Sequence, residues 1–339
     1  DELDGITPLW RKRMRHELRH RIFEPFLVGG FWWESCEMNW NSVCHAGVVG
    51  AALLSEADLK LRARVLRKAI DQVRHFLRGF TPDGGCSEGP GYWRYGVSSF
   101  IELAFDVHCA TGGAVDLLAD PVVRPVLEYP AKMVLSDGEV VNFADCHHGV
   151  TFSSGPLRWA AEKLGAEETR KLVSQPSASG GVPTGAAEIV LSGEPTSFEP
   201  SGDAWLPDLQ VLVVRGAGRA SEQLILAAKG GHNGEWHNHN DVGTFIVHWR
   251  GESLVCDLGA PLYTKKTFSP QRYELLATRS LGHNVPLINE TEQVEGADQA
   301  AEVLACEVGK DGARLSLQIA GAYPDEAAVE SLVRTLELH

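Results

Sequence analysis

The sequence predicts an α+β multidomain chain, a mostly helical body followed by an antiparallel β body. Three observations carry this: the length, a helical apolar period in the first half, and a change to strand-length apolar runs in the second. At 339 residues the chain exceeds one ordinary core, and about 150 residues per domain gives two bodies. Hydrophobic residues at 44% and charged residues at 22% place it among globular chains rather than disordered or fibrous ones.

In the first body Leu61, Val65, Ala69, Val73 and Leu77 recur every four residues, with Leu66, Ile70 and Phe80 beside them, which predicts an amphipathic helix. Similar patterning runs from Trp10 to Phe26, Ser42 to Leu54, Ser98 to Ala110 and Pro121 to Leu135, punctuated by TPDGG and ATGG. Helix pairs of similar length suit an α/α toroid, although no fixed-period repeat is visible. The basic stretch Arg11, Lys12, Arg13, Arg15, Arg19 and Arg21 could attract an acidic glycan, but interleaved with His and Glu it reads as a solvated helix face that needs no function. The Gly, Ser and Pro-rich segment SQPSASGGVPTG then places a boundary near residue 180, dividing a helical domain at 1–180 from a β domain at 181–339. Beyond it LQVLVVRG, EQLILAAKGG, GTFIVHWRGESLVCDLG, AEVLACEV and ARLSLQIAGAY are strand-length segments that predict an antiparallel β-sandwich. Arg250, Gly251 and Glu252 suit a tight hairpin with glycine at positive φ. That hairpin brings Asp257 back opposite about Thr244. The chain begins directly before a helical pattern and ends on SLVRTLELH, inside a strand pattern, so truncation is expected at both ends.

No apolar run approaches the roughly 20 residues of a membrane-spanning helix, and DELDGITPLW lacks the order of a secretory signal. Seven scattered cysteines without a CxxC pair predict buried free thiols rather than a disulfide framework or a thiolate metal site. A net charge of -14 argues against nucleic acid and sets a repulsive long-range field for any polyanion, which a local groove must overcome.

The strongest chemical signal is HNHNDVGTF. His237 and His239, two apart at a strand entrance, are expected on one face. With Asp257 from the hairpin return and His283 from GHNVPLIN they supply the nitrogen and oxygen ligands that Zn²⁺ accepts. An HxHxD string also opens the metallo-β-lactamase signature, which makes a zinc hydrolase the competitor. Its sixth position, normally histidine, is here Val242, and a strand rather than a helix follows.

HNHNDVGTFIVHWRGESLVCDLGAPLY followed by HNVPLIN resembles the β-domain signature of heparinase II/III-like polysaccharide lyases. MNWNSVCHAGVVGAALL and PDGGCSEGPGYWRYG resemble the helical-toroid motifs of that family, in the expected order. Glu290 departs from the pattern, which carries glycine after the HN segment, and Trp40 lies near where some relatives have histidine.

The resemblance implies an incomplete (α/α) toroid followed by an antiparallel β-sandwich. It implies β-elimination on a uronic-acid-containing acidic polysaccharide, in the cleft between the two bodies. It implies Tyr92, with Tyr95 three residues on as the second choice, and His237 as the acid-base pair, and Asn39 as the amide that neutralises the uronate carboxylate. Asn41, Glu88, Arg94, Tyr95, Trp40 and Trp93 are the candidates for substrate binding, and Trp32 and Trp33 for sugar stacking. Arg94 is also the cation expected to lower Tyr92. Zn²⁺ is expected on His239, Asp257 and His283, holding the loop that presents His237 rather than activating water. For Glu88, orienting the substrate or His237 stands level with a helix-end charge. The same family implies a periplasmic or secreted setting. A homodimer and a non-catalytic carbohydrate-binding protein on this scaffold stay open.

Overall fold

The computed structural model describes residues 7–152, 154–173, 198–200, 202–219, 222–310 and 312–339. The connection SQPSASGGVPTG, and with it the boundary near residue 180, lies outside the described residues.

Helices α1 (Pro8–Leu18), α2 (Glu24–Val28), α3 (Asn39–Ser55), α4 (Leu59–Gln72), α5 (Arg74–Leu77), α6 (Gly89–Ala110), α7 (Val123–Met133), α8 (Gly155–Leu164) and α9 (Glu167–Val173) occupy the first half. In α4 the four-residue period does what it predicts, burying Leu61, Val65, Leu66 and Ala69. Asp58 caps its start, accepting from the backbone N–H groups of Lys60 and Leu61, a contact typically contributing about 1 kcal/mol. The predicted helix through Leu77 is divided at Val73, whose carbonyl accepts from Phe76 N–H in a tighter turn. In the basic stretch Glu17 takes both Arg13 and Arg21 at 2.6 Å, and Arg19 lies 3.5 Å from Asp58, as a solvated face should.

Helix α6 begins at Gly89, well before the predicted Ser98, because GPGYWRYG hides helix-compatible residues behind breaker types. Proline is tolerated in the first turn, where its missing N–H has no partner to lose. Gly96 is required by packing: a Cβ there would lie 3.0 Å from Asn39 Cβ and 3.1 Å from the Phe76 ring. The bare glycine lets α3 and α6 approach closely enough for Ser42 Oγ to donate to Gly96 O at 2.8 Å. Asn39, at the start of α3, is thereby set beside the first turns of α6.

A small hairpin, β1 (Val134–Ser136) with β2 (Glu139–Val140), follows α7. The second half contains β3 (Ala204–Leu206), β4 (Val211–Arg215), β5 (Leu224–Lys229), β6 (His232–Asn233), β7 (Phe245–Trp249), β8 (Glu252–Val255), β9 (Gly296–Ala300), β10 (Glu302–Gly309), β11 (Gly312–Gln318) and β12 (Val333–Leu338). Every pairing is antiparallel, in sheets ordered β3-β4-β5-β7-β8, β10-β11-β12 and β6-β9. Strand β4 is apolar without alternation because both its faces are covered. Val211 and Val213 join the core shared with the helices, whereas Leu212 and Val214 join a second core with Leu315, Leu317 and Ile319 of the β11 side. The larger sheet is thus the middle layer of three.

The predicted hairpin forms with a two-residue turn. Trp249 pairs with Glu252 and Val247 with Val255, and Arg250 and Gly251 both adopt positive φ, at 52° and 83°. Asp257 returns to Thr244 as expected, with the Thr244 hydroxyl donating to Asp257 Oδ2 at 3.3 Å. Glu290 sits at φ 62°, a left-handed conformation in which glycine would be relaxed, which accounts for the glycine of the family pattern. All seven cysteines are free thiols; Cys86 and Cys146 are buried, but Cys109 and Cys256 are exposed, against the expectation of burial for the whole set.

One pH effect follows from α6. Burial, with Glu102 nearby, pushes half-buried Asp106 from 3.8 up to about 6. A carboxyl raised in the folded state contributes stability that is present below pH 4 and lost as pH rises through 6. Asp106→Asn is therefore expected to flatten that slope and to stabilise the chain at pH 7 by about 1 kcal/mol, after allowing for solvent screening. Denaturant titrations of both proteins from pH 4 to 7 check this; a parallel pair of curves would refute it.

Candidate active site

The segment HNHND is a loop, not the extended strand entrance expected, yet His237 and His239 still meet on one carboxylate, Asp145. His237 lies at φ 56°, so the alternation of an extended chain is broken between the two rings. Both ends of the loop are fixed to one buried ammonium: Lys229 Nζ lies 2.9 Å from Asp241 Oδ1 and 3.4 Å from Glu235 Oε2. Burial opposes that charge, but Asp241 and Glu235 overcome it and hold the lysine above its ordinary value. From the other side the Arg272 guanidinium donates to the carbonyls of His237, Asn238 and Thr267.

His237 consequently faces a cavity of about 820 Å³ between the helices and the β loops. Asn39, Trp40, Tyr92, Tyr95, Trp236, Tyr263, Phe268 and Arg272 line it with His237. The Tyr92 ring stacks on His237 with centroids 3.9 Å apart. Tyr92 and Tyr263 hydroxyls meet at 2.6 Å, and Tyr263 donates to Asp145 Oδ2 at 3.0 Å. His237 Nδ1 lies 2.8 Å from the same Oδ2, and its Nε2 lies 3.4 Å from Glu88 Oε2. Asn39 Nδ2 donates to that Glu88 oxygen at 2.9 Å. Glu88 stands at the N-cap of α6, where its charge also meets the helix dipole, but its carboxylate makes no cap hydrogen bond and turns instead to Asn39 and His237.

Electrostatics follow from these contacts. Burial would raise the Asp145 carboxyl, but hydrogen bonds from His237 and His239 and the Arg272 charge hold it well below the usual carboxylate range. Burial raises Glu88, with His237 and Asn39 opposing. Burial also raises Tyr92, helped by Asp145 and Glu88 and opposed by the Tyr263 hydrogen bond and Arg272. Arg94, expected to lower Tyr92, is exposed and lies outside the cavity lining.

Other expectations are redirected. Asn41 is fully buried and donates to the carbonyls of Trp33 and Glu34 at 3.1 and 3.0 Å, bracing the turn before α3 rather than meeting substrate. Trp93 is 0% exposed, with its indole N–H on Val126 O at 2.8 Å, so it is core. Trp33 packs between Phe26 and Phe31. Trp40, Tyr95 and Trp32 are exposed, and Trp32 leans on Trp40 at 5.4 Å. Sequence reasoning missed Asp145, Tyr263, Arg272 and Trp236. Tyr263 and Trp236 were within reach, the one inside DLGAPLY and the other directly before HNHND. Asp145 had only the polar interruption NFADCHH to mark it.

Behind the loop His239, Asp257 and His283 converge, with one ligand atom from each all within 4.8 Å of one another. His239 Nδ1 is buried without a hydrogen-bond partner, while its Nε2 lies 2.9 Å from Asp145 Oδ1. His283 Nε2 meets Ala277 O at 3.1 Å, and its Nδ1 lies 2.8 Å from Asp257 Oδ2. Each imidazole is thus anchored through one nitrogen and turns the other inward, the arrangement that metal-binding histidines use. Burial also lowers His239, favouring the neutral ring a ligand needs. The three residues fit a Zn²⁺ ion. Val242, at the place of the hydrolase histidine, is fully buried in the second core and ligates nothing.

Helices ahead of a layered antiparallel sheet, with an aromatic cleft between them and a His-Asp-His group behind it, define a toroid-and-sandwich protein. Residues 150–338 match the heparinase II/III-like C-terminal model, more than half of the chain, and the chain belongs to that family. No curated protein matches it by sequence at a significant level. Among solved structures, one described as heparinase III aligns over 98% of this chain and 50% of its own, at 14% identity and a TM-score of 0.67. The heparinase III BT4657 gene product aligns over 88% of this chain and 43% of its own, at 13% identity and 0.61. The heparan sulfate lyase HepC from Pedobacter heparinus gives 88% and 43%, at 12% identity and 0.57. At these identities the likeness establishes the fold, and the chain spans half or less of these structures' length.

Proposed function

We propose that the chain carries the active-site cleft of a polysaccharide lyase that splits a uronic-acid-containing acidic polysaccharide by β-elimination. Glycosaminoglycans, alginate and related exopolysaccharides all present the uronate this chemistry needs. The observation that supports the reading is the stacking of Tyr92 on His237, ring centroids 3.9 Å apart, in the lining of one cavity, where a bound uronate would meet both side chains.

Elimination removes the proton from C5, forms the C4 to C5 double bond and releases O4, which takes up a proton. The C5 hydrogen is poorly acidic beside an ionised carboxylate, so that group must be neutralised as enolate charge develops. Asn39 gives one amide N–H to Glu88, which orients the side chain, and has a second for the uronate carboxylate. Tyr92 and His237 divide removal and delivery of the protons, the division depending on the stereochemistry of the uronate. Trp40, Tyr95, Trp236 and Phe268 offer apolar faces against which pyranose rings can lie.

His239, Asp257 and His283 would hold a Zn²⁺ ion, which would supply a cross-link fixing the loop that bears His237. Adding zinc is expected to raise the unfolding midpoint of the parent chain and to leave that of a His239→Ala, His283→Ala variant unmoved; equal responses would remove the metal from this reading.

The test of function is a panel of uronate polymers, sulfated and unsulfated, followed by the ultraviolet absorbance of the new double bond. A rise lost in His237→Ala supports the lyase. Hydrolysis instead would add water to the product mass, and affinity without product would leave a carbohydrate-binding protein.

A further inference from the structure

We infer that Asp145 is a positioning residue that ties the His239, Asp257 and His283 cluster to the proton-transfer groups of the cleft, so that one buried carboxylate sets the orientation of both. The inference rests on the lyase reading for its catalytic half only.

Asp145 is 3% exposed and lies in the turn that follows β2. An ionised carboxylate only accepts, and it offers about four lone-pair positions. All are engaged here. Oδ2 receives His237 Nδ1 at 2.8 Å and the Tyr263 hydroxyl at 3.0 Å. Oδ1 receives His239 Nε2 and the Arg272 guanidinium, each at 2.9 Å.

Because the acceptor has no hydrogen to give, each partner's proton is assigned. His239 must carry hydrogen on Nε2, which leaves the lone pair of Nδ1, the nitrogen without a partner, turned towards Asp257 and His283. His237 must carry hydrogen on Nδ1, so that Nε2 is the atom directed at Glu88 and the cleft. Tyr263 spends its only hydrogen on Asp145, and Tyr92 must then be the donor in the 2.6 Å contact between the two hydroxyls. The direction of three hydrogen bonds in the cleft therefore descends from one side chain.

The turn bearing Asp145 is itself fixed to the chain that follows Asp257. Asn142 Nδ2 donates to Asp257 O at 3.0 Å, and Ala260 N–H to Cys146 O at 3.0 Å. Gly259, at φ 64°, permits this approach, since a Cβ there would come within 2.3 Å of Cys146 O. Asp145 and the metal-type cluster are consequently held as one block against the loop of His237.

The experiment compares Asp145→Asn and Tyr263→Phe in the full chain, with zinc affinity read by competition against a chromophoric chelator and no polysaccharide present. An amide keeps the shape of the carboxylate but offers N–H where a partner's hydrogen should be accepted, so an imidazole loses its tautomer. Asp145→Asn is expected to weaken zinc by about 10- to 100-fold. On a polymer that the parent cleaves, kcat should fall about 100-fold or more, with KM within about threefold. Tyr263→Phe cuts only the branch to Tyr92, and should lower kcat while zinc affinity stays at the parent value. Zinc affinity unchanged in Asp145→Asn, or weakened as much in Tyr263→Phe, overturns the inference, as does a parent that binds no zinc. If no polymer is cleaved, the lyase reading fails on its own and the zinc comparison still decides the role of Asp145. Should Asp145→Asn fail to fold, Asp145→Glu keeps the charge against Arg272, displaces the oxygens and is read in the same way.

Discussion

Tyr92→Phe is expected to lower kcat on a cleaved uronate polymer by about 10²- to 10⁴-fold, the usual worth of a positioned proton-transfer group. The variant is informative because it removes one oxygen and little else. The ring remains, and with it the stacking on His237 at 3.9 Å. What disappears is the hydroxyl at 2.6 Å from Tyr263, the only part of the side chain able to carry a proton. Stability should move by less than about 1 kcal/mol, since Tyr263 keeps its bond to Asp145. Turnover within threefold of the parent, in a protein that melts normally, would show that Tyr92 handles no proton and would leave His237 acting with another group.

The second large effect concerns folding. Lys229→Met is expected to cost about 3–5 kcal/mol, measured by denaturant unfolding, because it strands two buried carboxylates. Lys229 is 3% exposed and answers both Glu235 and Asp241. Methionine fills the space but returns no charge. Adding Glu235→Gln and Asp241→Asn to the same chain should recover most of the loss, since the penalty belongs to unpaired charge rather than to lost volume. A cost under about 1 kcal/mol for the single change would mean that water reaches the carboxylates, and that the loop from Glu235 to Asp241 is not clamped as described.

These predictions differ in how far the sequence could have supplied them. Tyr92 and His237 were singled out by the family motifs that surround them, and both line the cavity. Their neighbours were not equally so. Tyr92 faces the cavity and Trp93 fills the core, since consecutive residues on a helix point about 100° apart; the sequence shows two adjacent aromatics and not which face is covered. Asn39 and Asn41 divide in the same way, one lining the cavity and the other bracing carbonyls. Lys229 has nothing in its local sequence, the strand-length segment EQLILAAKGG, to mark it as buried. Its burial depends on a loop that returns over it.

What the sequence determined by itself is whatever near neighbours decide. Apolar periods chose helix or strand, as in α4 and β4, and turn chemistry at Arg250 and Gly251 closed a hairpin that carried Asp257 to Thr244. The helical-then-β order followed from such local signals, whereas the separation of His239, Asp257 and His283 from His237 came from the family resemblance. Only the tertiary structure decided which carboxylate governs the site. Asp145 lies 92 positions from His237 and 118 from Tyr263, and it meets them because the turn after β2 packs against the chain that leaves β8. A lone aspartate in a turn has the same local preferences wherever the turn is placed. Its four partners come from three separate segments of the chain, and only their packing puts them within hydrogen-bond reach of one group.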